Sequence, residues 1–126
     1  MFSSAMLYAG SAMIIAWGLA HIMIPTKSIL GGFEPITPDN RSILLMEWLM
    51  EGVLLVFLGV LVALVRAIAP AEEFAATIVY RTSAVVLIVM AGISLMTGGR
   101  TRIGPMRLCP FIFAATAVLF LLPTVL

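Results

Sequence analysis

Four long apolar runs divide the chain, each closed by proline, glycine or a polar cluster. The first, Ala5 to Ile24, carries His21 as its one ionisable residue and stops at Pro25. A helix of that length rises roughly 30 Å, the thickness of a bilayer's hydrocarbon core. Proline lacks the amide proton that would continue it. The stretch ITPDNRS predicts the start of a second helix. Thr37 suits the N-cap, Pro38 the first helical position, and Asp39 the positive end of the helix dipole. This helix is expected to reach about Ala69, before Pro70. At about 48 Å it is longer than a bilayer needs, so its first turns project into headgroups or water. A third helix is expected from Pro70, with Glu72 and Glu73 in its first turn, to a glycine stop at Gly98 and Gly99. The fourth begins near Pro105 or Pro110, and Pro110 either caps or kinks it. The expected fold is an all-α, integral membrane four-helix bundle. Its transmembrane helices fall at about 5–24, 43–66, 78–98 and 106–125, in a single domain over 1–126 because the links are short.

Composition strengthens the membrane reading. Hydrophobic residues make up 63% of the chain and charged residues 10%, against roughly 25% charged in soluble domains. The net charge of +1 provides no basic field for nucleic acid. One cysteine, Cys109, excludes an internal disulfide and a multi-cysteine metal site. One histidine excludes bis-histidine haem ligation and a multi-histidine zinc site, so no metal is expected. The first ten residues hold no Lys or Arg, unlike the basic start of a signal peptide, and Ala5 onward reads as a retained helix.

Four passes place both termini on one side. Loops 25–40 and 98–104 occupy the other, and that side carries Lys27, Arg41, Arg100, Arg102 and Arg107. The terminal side has Arg66 and Arg81. The positive-inside rule then predicts cytoplasmic loops and external termini.

The stretch MEWLMEG sets two acids at the mouth of an uncharged run, Gly52 to Val65. That run spans about 21 Å as a helix, some 9 Å short of the hydrocarbon core. Thinning of the bilayer and snorkelling by Arg66 can absorb part of the deficit. The rest must come from the side of the acids, which puts Glu47 near the interface and Glu51 one turn deeper. They share a helix face, so cations must answer them or one must hold a proton. His21 lies at the same end of the bundle, as do the five loop-side cations, the expected ion-pair partners. A polar ligand or proton site is expected there, built from His21, Glu47, Trp48 and Glu51, with His21 and Glu51 deepest. The competing reading makes Glu47 a snorkelling group bridged by Arg100 or Arg102, and His21 an ordinary interfacial histidine.

Other features read as packing. Ala5, Ala9, Ala12, Ala16 and Ala20 recur at three- and four-residue steps. Small residues let membrane helices approach, so this stripe is expected as an intramolecular seam, with an oligomer contact as the second choice. Trp17 and Trp48 fall at the loop-side interface, where tryptophan is enriched, and can also stack on a ring-shaped ligand. Cys109 is flanked by apolar residues and expected to be inert. Arg81 is expected to snorkel to the terminal side or pair with an acid there.

Three stretches, AHIMIPTKSILGGF, PDNRSILLMEWLMEG and RLCPF, resemble a group of small bacterial four-helix membrane proteins, mostly of unassigned function. In layout the chain is similar to DoxX-like membrane proteins. That resemblance implies the bacterial inner membrane and an association with quinone-dependent oxidoreductases as subunit or partner. It carries over no catalytic residue.

Three functions are therefore weighed. The first is a non-catalytic accessory subunit or binder of an apolar molecule, quinone or lipid. The second is a proton-handling subunit of a quinone-linked membrane oxidoreductase. The third is a small proton-coupled transporter acting as a dimer. Membrane lipids and either a larger membrane complex or a homo-oligomer are the expected partners. No nucleophile–base pair or phosphate loop points to an enzyme acting alone.

Overall fold

The computed structural model describes residues 2–24, 30–70 and 73–126. Four long helices account for most of them: α1 (Phe2–Met23), α2 (Pro38–Ile68), α3 (Phe74–Met96) and α4 (Gly104–Leu121). Short 3-10 turns follow at Gly31–Phe33, Gly98–Arg100 and Leu122–Thr124. No strand occurs among the described residues. All four long helices have the length and apolarity to cross a membrane. The chain is a multi-pass membrane protein with an all-α, four-helix architecture.

The helix ends follow local chemistry, with corrections. Thr37 caps α2, its hydroxyl accepting from the Asn40 amide at 3.2 Å. Ala69 is extended at the other end (φ −125°, ψ 145°), as a residue before proline tends to be. The next helix does not start at Pro70. The Glu73 amide donates to the Pro70 carbonyl at 3.2 Å, and α3 begins at Phe74 with Glu73 as N-cap. Glu72 lies outside the described residues. Gly98 and Gly99 do not supply a left-handed stop. Neither has a positive φ, and both sit in a 3-10 turn after α3 has ended. α4 starts at Gly104 with Pro105 in its first turn, and Pro110 lies inside it, buried. A proline there leaves the Met106 carbonyl without its helical donor.

The surface is as apolar as the core. Val53, Phe57, Leu64, Val85, Val89, Phe111 and Val118 all face outward, while Ser11, His21, Ser83 and Thr116 are buried. That arrangement suits lipid as the surrounding solvent. Inside, Leu7, Ile14, Leu55, Val62, Tyr80, Leu87, Phe113 and Phe120 form the core.

The alanine stripe of α1 is not the seam. Ala5, Ala9, Ala12 and Ala16 are exposed. The seam to α2 runs along Ser11 and Gly18, which meet Gly59 and Gly52. A Cβ on Gly18 would stand 2.7 Å from the Gly52 carbonyl oxygen, and one on Gly59 would stand 2.9 Å from that of Ser11. Each pair of small residues is one heptad apart on its own helix, so the two antiparallel backbones touch along a continuous line. Farther along the same line, Arg66 donates to the Ser4 hydroxyl at 2.6 and 3.0 Å. Arg66 is thereby tied within the bundle by protein partners. Arg81 meets no acid among the described residues; it donates to the Thr124 hydroxyl and carbonyl in the turn after α4.

Helix α1 packs closely on α2 and also on α4, and α3 packs on α4, but α2 and α3 barely meet. A groove is left between them.

Candidate functional site

The glycine seam determines what happens at the loop-side end. Because Gly18 and Gly52 let α1 and α2 touch, His21, one turn beyond Gly18, is pressed against α2. It meets the residues flanking Gly52. The His21 imidazole stacks on Trp48 with ring centroids 4.2 Å apart and planes 23° apart. Trp48 Nε1–H donates to the His21 carbonyl at 2.6 Å. On the other side, Trp17 meets the imidazole edge-on, centroids 5.9 Å apart. His21 is 3% exposed.

The tautomer of His21 follows from its contacts. Its Nδ1 lies 3.1 Å from the Trp17 carbonyl oxygen. A carbonyl only accepts, so Nδ1 carries the proton. Nε2 is buried without a hydrogen-bond partner and faces Glu51 Oε1 at 3.8 Å. That gap is too long for a hydrogen bond.

Cys109 on α4 completes the cluster. Its sulfur, a His21 ring nitrogen and a Glu51 oxygen all lie within 4.8 Å of one another. The thiol is buried and donates to the Pro105 carbonyl at 3.5 Å. The expectation of an inert cysteine overlooked this neighbourhood.

A cavity of about 660 Å³ opens beside the cluster, between α2 and α3, with α4 as its floor. Small-molecule sites commonly span about 300–1,000 Å³. Its polar lining comes from Glu47, Trp48, Glu51, Ser94, Thr97 and Cys109. Leu54, Met90, Ile93, Met106 and Phe113 make the rest apolar. Exposed Met50, Leu54 and Ile93 form its rim, so it opens sideways.

No match was found for the chain among protein-family models, curated proteins or solved structures.

The structure thus brings His21, Trp48 and Glu51 together and sets Glu47 at the cavity wall. It does not bring in the expected cations. Arg41 pairs instead with Glu34 at 3.0 Å. Arg100, Arg102 and Arg107 are exposed and form no ion pair among the described residues. Lys27 lies outside the described residues. The physical reason is depth. These arginines stand at or beyond helix ends, whereas Glu51 lies farther along α2, facing α1 and α4. What the expected set lacked was Cys109, together with Ser94 and Thr97 from α3.

Proposed function

We propose that this protein binds an amphipathic apolar molecule, a quinone or a lipid, in the cavity between α2 and α3. It acts as a non-catalytic accessory subunit or carrier of that molecule. One observation carries the reading: the cavity pairs an apolar slot open to the side with a polar end holding Glu51, Trp48, Ser94 and Thr97. A molecule dissolved in the bilayer would enter between the helices, tail along Leu54 and Phe113, head against Glu51. The resemblance to DoxX-like proteins supports a quinone as the first ligand to test.

The same reading places the protein in a bacterial inner membrane, with loops 25–40 and 98–104 cytoplasmic and both termini outside. The excess of basic residues on the loop side supports that orientation. Membrane lipids and a larger membrane complex or a second copy are the partners it implies. A second reading, proton handling at quinone, draws on the His21–Glu51 approach of 3.8 Å beside the cavity.

The test is a titration of the protein in lipid nanodiscs with a short-chain quinone, followed by tryptophan fluorescence. Trp48 lines the cavity, so saturable quenching is expected, with about tenfold weaker binding in Glu51→Gln after loss of a charged partner. Quenching that rises linearly and is unchanged in Glu51→Gln would contradict a quinone site.

A further inference from the structure

We propose that His21, Glu51 and Cys109 form a binding site for one late first-row divalent cation of the zinc class, at the polar end of the cavity. The proposal does not rest on the amphiphile reading, because it follows from the donor geometry alone.

The first argument is the state of His21. Its Nδ1–H is committed to the Trp17 carbonyl, which leaves Nε2 as the ring atom open to a further partner. That atom is buried, has no hydrogen-bond partner and faces a carboxyl oxygen, another acceptor, at 3.8 Å. A positive charge between them, a proton on Nε2 or a bound cation, would satisfy both groups. A backbone carbonyl on Nδ1–H is also the usual outer partner of a metal-binding histidine, since it fixes both tautomer and ring orientation.

The second argument is distance. Donors around a tetrahedral ion of this class stand about 3.3–3.8 Å apart, nitrogen and oxygen at the short end and sulfur at the long, given bonds of about 2.0–2.3 Å. The imidazole and carboxyl stand 3.8 Å apart, a few tenths of an ångström beyond the spacing of a nitrogen and an oxygen ligand. All three donor atoms lie within 4.8 Å, so the sulfur needs only a small inward movement. The Trp17 indole N–H, on the ring that meets His21 edge-on, is buried without a hydrogen-bond partner among the described residues.

The third argument is donor type. One imidazole, one thiolate and one carboxylate form a mixed set that favours zinc-class ions over magnesium or calcium. The three donors come from three helices, α1, α2 and α4. A bound ion would therefore pin the end of the bundle where α2 and α3 part. Glu51 and Cys109 also line the cavity, so the fourth position faces it and accepts water or an oxygen of a bound headgroup.

The sequence pointed away from metal because it holds a single histidine and a single cysteine. That arithmetic excludes repeated ligands of one type but leaves a mixed set open.

The experiment uses the full chain in nanodiscs, stripped with chelator and titrated with Co²⁺. The expected result is saturation at one ion per chain with a thiolate-to-cobalt charge-transfer band, reversed by Zn²⁺. Cys109→Ser should abolish the band, and Glu51→Gln should keep it while weakening affinity at least about tenfold. A second readout covers a variant that fails to fold. Zn²⁺ should slow alkylation of Cys109, the single cysteine, and His21→Gln should lose that protection. Absence of the charge-transfer band in the unaltered protein would overturn the site, as would alkylation indifferent to Zn²⁺. Quinone binding measured on the same preparation separates the two proposals: a protein that binds quinone but gives no charge-transfer band contradicts only this one.

Discussion

His21 and Glu51 could be picked from the sequence because ionisable groups inside apolar helices stand out against their surroundings. Cys109 could not. Its flanks are apolar, and its approach to His21 depends on how α4 sits against α1, which no local pattern encodes. The loop-side arginines misled for a related reason. Sharing a membrane side with Glu51 says nothing of depth, and the residues at helix ends stay in the headgroup layer. Trp48 was legible as an interfacial tryptophan, but its hydrogen bond to the His21 carbonyl was not. Trp48→Phe keeps an aromatic ring for stacking and removes that bond. It should lower stability by about 1 kcal/mol, read as an earlier thermal unfolding transition in detergent. Glu51→Gln, by contrast, should leave the unfolding transition nearly unmoved when quinone and metal are absent, since its carboxyl makes no hydrogen bond among the described residues. A large loss of stability in that variant would mean that Glu51 is a structural residue.

At the scale of the helix, the four spans were readable from apolar run length and from proline and threonine at the ends. The faces were not. In water, polarity tells the inside of a helix from the outside; in lipid both sides are apolar, and that contrast fades. An alanine stripe therefore looked like a seam, while the working seam was a pair of glycines on α2 matched to Ser11 and Gly18 on α1. This assignment makes a paired prediction. Gly18→Ala and Gly52→Ala push a methyl group into a backbone carbonyl across the seam. Each should cost about 1–3 kcal/mol and also disturb the stacking of His21 on Trp48. Gly92→Ala on α3 meets nothing within 4 Å. It should be neutral or stabilising by up to about 1 kcal/mol, because alanine favours the helix. Thermal unfolding of the three variants side by side checks the seam. Equal effects at Gly92 and Gly52 would contradict it.

For the whole molecule, the decisive feature is an asymmetry of packing. α1 and α4 hold the bundle together, while α2 and α3 part on the loop side and enclose a cavity of about 660 Å³. Sequence length and polarity predicted four passes but had no means of saying which two helices would stand apart. The central claim is that this gap holds an amphipathic molecule. Its most direct test is native mass spectrometry of the untagged protein, extracted gently from its own membrane, beside a Ser94→Trp variant. Ser94 lines the cavity, so the larger ring fills the slot without touching the α1–α2 seam. The account predicts a bound apolar molecule on the unaltered protein and its loss from Ser94→Trp, with the fold retained. A ligand-free protein, or one that keeps the same adduct after the cavity is filled, would contradict it.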